Sequence, residues 1–110
     1  MPGCICNDCT NYGDENACLS VLNILFDNIT QTSFGVAWDT SPNAVSYVVE
    51  FKEVTAITWS IMPPVSAPFL TNTVTGLTPD TIYDVRINAV CPTGTCYSLT
   101  LRLQTLPLMA

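Results

Sequence analysis

The chain has 110 residues, enough for one domain with a two-layer core and too few for a second. Three basic residues against nine acidic ones give a net charge of −6, which leaves little to neutralise phosphates and argues against nucleic-acid binding; the absence of histidine excludes a histidine general base. Charged residues are only 11 % of the chain, against about 25 % in an average domain, so apolar residues beyond what a small core can hold must lie on the surface, where contiguous ones mark contacts.

Residues 1–18, MPGCICNDCTNYGDENAC, place Cys4, Cys6, Cys9 and Cys18 among Asn, Asp and Gly. This reads as a loop-rich cap without a core of its own. Its cysteine density suits either one structural zinc on the four thiolates or a set of disulfides. The spacing C-x-C-x₂-C-x₈-C lacks the paired C-x₂-C knuckles of a zinc ribbon, so both readings stay open. MPGCIC has no basic n-region and no apolar h-region, so no secretory signal is expected and Met1 reads as the start of a complete gene product. No apolar run approaches the roughly 18 residues of a membrane span.

Residues 19–110 read as strands. Leu19 to Ile29 is the first, broken near Asp27 and Asn28. Asn28-Ile29-Thr30 matches a glycosylation sequon, for which a plain turn is the preferred reading. Ser33 to Trp38 alternates, with Phe34, Val36 and Trp38 on one face. The cluster DTSPNA, Asp39 to Ala44, is a turn, and Val45 to Lys52 alternates again with Tyr47, Val49 and Phe51 inward. Ile57 to Ile61 predicts a short strand. Met62 to Phe69, MPPVSAPF, cannot be a central strand, because proline donates no ladder hydrogen bond. It is too apolar for a solvated loop, so Trp59, Met62, Val65 and Phe69 form the candidate protein interface; closure of the sandwich edge is the alternative. Leu70 to Val74, Ile82 to Val90 and Tyr97 to Leu103 complete the set, the last with Leu99, Leu101 and Leu103 alternating. The apolar tail, Leu106 to Ala110, is expected to dock on a neighbour.

The stretch GLTPDTIYDVRINAVC, Gly76 to Cys91, is the most specific. Gly76, Pro79 and Asp80 supply turn chemistry, and from Tyr83 the apolar positions recur every second residue through Val85, Ile87, Ala89 and Cys91. A tyrosine in this place can bury its ring and return its hydroxyl to the backbone upstream. The run resembles the corner and following strand of a fibronectin type III domain, and the resemblance extends over about residues 19 to 106. It implies an all-β, seven-stranded antiparallel sandwich in which Trp38 is a central core residue. It also implies that the amino end shares a pole with Cys91-Pro-Thr-Gly-Thr-Cys96, so that all six thiols meet at one end. Cys91 and Cys96 then flank a hairpin turn close to bridging distance, and a Cys91–Cys96 disulfide or ligation shared with the cap is feasible. Six cysteines allow fifteen full pairings.

Catalysis has little support. The chain has no phosphate loop and no nucleophile elbow, and Glu50 and Asp84 fall on outward strand faces beside Lys52 and Arg86, where cross-strand charge pairing is the simpler reading. Asp8, Asp14 and Glu15 make the setting of the clustered cysteines the opposite of what a reactive thiol needs. Similar modules occur in Bacteroidetes surface proteins and their phages. The resemblance therefore implies a non-enzymatic structural or binding module. The expectation is a small phage virion protein made in the host cytoplasm, docking on virion subunits or its own copies and presenting a surface to host glycan. The alternative is a secreted or cell-surface accessory adhesion or carbohydrate-binding domain.

Overall fold

A computed structural model describes residues 18–92 and 94–108. They form nine strands: β1 (Leu25–Asp27), β2 (Phe34–Ala37), β3 (Ser46–Glu53), β4 (Ser60–Ile61), β5 (Val65–Ser66), β6 (Thr71–Val74), β7 (Ile82–Cys91), β8 (Gly94–Tyr97) and β9 (Leu101–Gln104). One sheet has the order β1-β2-β6. The other runs β4-β3-β7-β8, with β5 also on β3 and β9 also on β7. Every pairing is antiparallel, and the two layers make the sandwich that the alternation predicts.

Period-two alternation sets the core. Phe34, Val36, Tyr47, Val49, Val85, Ile87 and Ala89 are all at most 2 % exposed, and Trp38 and Tyr83 are 4 % exposed. The corner before β7 also takes the expected form. Gly76 has φ 76°, and Thr78 N–H donates to the Tyr83 hydroxyl at 2.9 Å while the ring stays in the core. A second tyrosine does the same elsewhere: Ser41 N–H donates to the Tyr47 hydroxyl at 3.0 Å, and the Tyr47 ring lies 5.5 Å from that of Trp38. Both hydroxyls are thereby satisfied inside an apolar layer, where an unpaired one would be costly.

The strand count differs from the expected seven for two local reasons. The last strand is split, because Ser98 occupies a break in its ladder: Ser98 N–H donates to Ile87 O at 2.8 Å, and the Ser98 hydroxyl accepts from Ile87 N–H at 2.8 Å. The register slips by one residue across that break, from Asn88↔Tyr97 to Val85↔Leu101, which is a bulge. Leu103 stays inward at 8 % exposure, but Leu99 is turned out at 73 %. The second extra strand is β5, lying between Pro64 and Pro68 at the sheet edge, the place where prolines are tolerated. The first strand is shorter than Leu19 to Ile29, because Asn23 and Asn28 take positive φ values of 56° and 48° and end the extended backbone on either side of β1.

Cysteine pairing takes the disulfide route left open for the cap, but not between Cys91 and Cys96. Cys18 is bonded to Cys91, across 73 residues, and Cys96 is disulfide-bonded as well, so the Cys91–Cys96 bridge gives way. The hairpin is tighter than four residues: Cys91 stands opposite Gly94 and Cys96 opposite Ala89, so the two sulfurs are diagonal neighbours, not a directly opposed pair.

Candidate docking face

The outward side of the six-stranded sheet gathers most of the chemistry in the chain. Cross-strand register fixes its rows. Val48, Asn88 and Tyr97 form one row; Ile61, Glu50 and Arg86 form the next; Lys52, Asp84 and Arg102 form the third. Trp59, one residue before β4, completes the third row beside Lys52. All three basic residues of the chain therefore lie on this one face.

Each cation there has a carboxylate. Arg86 holds Glu50 Oε1 through Nη2 at 2.8 Å and Nε at 2.9 Å. Arg102 Nε donates to Asp84 Oδ1 at 2.8 Å, and Lys52 Nζ lies 3.4 Å from Asp84 Oδ2. The reading of Glu50 and Asp84 as cross-strand partners is thus the one the structure shows. What the alternation alone does not show is their burial: Glu50 is 4 % and Asp84 8 % exposed although both point away from the core. The cause is a cover of long side chains. The Arg86 guanidinium carbon sits 4.0 Å from the centre of the Trp59 ring and 3.9 Å from that of Tyr97, and Lys52 Nζ is 5.3 Å from Trp59. Arg86 is therefore held by both aromatic rings and by Glu50, which fixes its planar group and shields the carboxylate beneath.

Asp84 carries a pH signature. Burial pushes its carboxyl up, but the hydrogen bond and charge of Arg102, followed by those of Lys52, outweigh this and hold it below the ordinary carboxylate range. A group with a lowered folded-state pKa stabilises the fold above its unfolded pKa, about 3.9 for Asp, and loses that contribution as pH falls through the lower value. Urea midpoints should therefore hold from pH 7 to about 5 and fall below about 4, and Asp84→Asn should flatten the acid limb. An acid limb unchanged by that substitution would assign the loss to other carboxylates.

The four residues expected as an interface do not form one patch. Trp59 joins the cation face, Met62 and Val65 pack against the core from the sheet edge, and Phe69 is 68 % exposed in the loop after β5. For the expected zinc set, the Cys18 sulfur is taken by the disulfide to Cys91, while Cys4, Cys6 and Cys9 lie outside the described residues. Tyr97 is the face residue that sequence reasoning missed. Tyr97 stands opposite Asn88, so outward alternation along β7 carried across the hairpin was the available signal.

The other sheet has a shallow groove of about 400 Å³ lined by Asp27, Asn28, Thr30, Ser33, Thr71 and Thr73 among others. Its single carboxylate, Asp27, has no second acid or base in that lining, so the groove has no pair for acid–base chemistry. Among the described residues no helix is long and apolar enough to cross a membrane.

The model of the fibronectin type III domain matches residues 19–102. Solved structures agree in fold. An FN3 domain of human collagen XX is 17 % identical with a TM-score of 0.71, covering 78 % of this chain and 90 % of that one. The FN5 domain of Drosophila Lar is 22 % identical with a TM-score of 0.69, covering 84 % of this chain and all of that one, 100 %. A two-domain fibronectin type III segment of chicken tenascin is 25 % identical with a TM-score of 0.72, covering 78 % of this chain and 49 % of that one. No curated protein matches the sequence.

Proposed function

The chain belongs to the fibronectin type III family, and from that premise we propose that it is a non-enzymatic docking module of a phage virion surface, holding to other virion subunits or to its own copies and offering a pole to host glycan. One observation carries the docking part: the outward sheet face combines Trp59, Tyr97 and Arg86, residue types enriched in protein contacts, with exposed Ile61, in place of the solvated polar face usual for an antiparallel sheet. The Cys18–Cys91 bridge supports work outside a reducing compartment, reached by a virion protein after lysis.

The same bridge favours a second reading, a secreted or cell-surface accessory adhesion or carbohydrate-binding domain, since extracellular proteins are where disulfides persist. Mass spectrometry of particles banded from a lysate, beside the envelope fraction of the host cells, separates the two. The virion reading expects the chain in the particles at a fixed ratio to the major capsid protein. Recovery only in the envelope fraction overturns it in favour of the surface domain.

A further inference from the structure

We infer that the outward face of the six-stranded sheet is covered by the same face of a second copy, forming a two-fold dimer. This deepens the docking reading and rests on it. Three observations select that occupant. The first is area. With β4 and β5 sharing one edge of β3, and β8 and β9 sharing one edge of β7, the face is four strands wide. At about 4.8 Å between strands and about 34 Å along β7 it offers about 650 Å². Two copies would bury about 1,300 Å², within the range of specific protein interfaces.

The second is charge. At −6, two copies repel, and a contact that opposed bare carboxylates would add to it. On this face both carboxylates, Glu50 and Asp84, are neutralised beneath cations, and the three cations against two carboxylates leave it slightly positive. Of the other described carboxylates, Asp27 and Asp39 lie with the other sheet, Glu53 ends β3, and Asp80 sits at the lower end, where Gln104 donates to it. Copies of this acidic chain meet there with the carboxylates of the face already paired.

The third is the apolar rim. Ile61 is 67 %, Tyr97 43 % and Ile82 43 % exposed around the paired charges. A two-fold contact is self-complementary, so one such patch supplies both sides, and two-fold dimers are the commonest closed assemblies. The stack of Arg86 between Trp59 and Tyr97 holds the centre of the patch rigid, which limits the side-chain entropy lost on contact.

Sedimentation equilibrium of the full oxidised chain from about 1 to 300 μM tests this, a span that brackets micromolar affinities. Average mass should rise from one chain toward two and stop there. Ile61→Glu, which places a bare carboxylate in the rim, should raise the dissociation constant at least about tenfold, while Leu25→Glu, 69 % exposed on the other sheet, should change it less than about twofold. If Ile61→Glu loses its fold by circular dichroism, Ile61→Ser serves, with a smaller shift in the same direction. A chain that stays monomeric throughout, grows beyond two, or responds to Leu25→Glu as strongly as to Ile61→Glu overturns the dimer. The docking reading would then rest on the particle experiment alone.

Discussion

Replacing Cys18 and Cys91 together by alanine should lower the unfolding free energy by about 4 kcal/mol, read as a fall in the urea midpoint with both proteins under oxidising conditions. The bridge closes a loop of 73 residues, and most of its stabilisation comes from the freedom it removes from the unfolded chain. Its position adds to this. Cys18 lies in the segment before β1 and Cys91 ends β7, so the bond fastens that leading segment to the end of the longest strand. Both residues are also core residues, at 5 % and 6 % exposure, so alanine sacrifices some packing as well. Reducing the wild-type chain opens the Cys96 bridge too and should cost more than the double substitution. A double variant with an unchanged midpoint would show that the sandwich holds as well without this bond.

Arg86→Ala should cost about 1.5 to 3 kcal/mol, more than an exposed ion pair contributes. The reason is the contact it breaks. The Glu50 side chain is only 6 % exposed, and losing Arg86 takes away its charged hydrogen-bond partner together with part of the cover that keeps water from it. The loss also removes the group that Trp59 and Tyr97 both contact, so Trp59 fluorescence should shift toward that of a solvated indole. Replacing the pair together, Arg86→Met with Glu50→Gln, should be close to neutral, because neither charge then needs the other. A single substitution costing less than about 1 kcal/mol would place the pair among ordinary exposed ones.

The sandwich was legible because alternation is a backbone property. Phe34-Val36-Trp38, Tyr47-Val49-Phe51 and Tyr83 through Cys91 each announce an inward face, and Gly76, Pro79 and Asp80 announce the turn that feeds the last of them. The docking face was legible only in part. Glu50, Lys52, Asp84 and Arg86 could be placed outward, but their burial depends on Trp59 and Tyr97 folding over them from neighbouring strands, a tertiary effect without a sequence period. The split of the last strand turns on Ser98 taking the place of a ladder acceptor for Ile87, which a Leu-rich alternation hides. Cysteine pairing depends on which sulfurs the register brings together, and two residues of hairpin length decide it.

Hydroxyl-radical footprinting on dilute and concentrated chain addresses the docking face most directly, since it reads side chains one by one. Tyr97, Ile82 and Ile61 should lose reactivity together as concentration rises, while Leu25, 69 % exposed on the other sheet, keeps its own. Protection of Leu25 with Tyr97, Ile82 and Ile61 still reactive would contradict it.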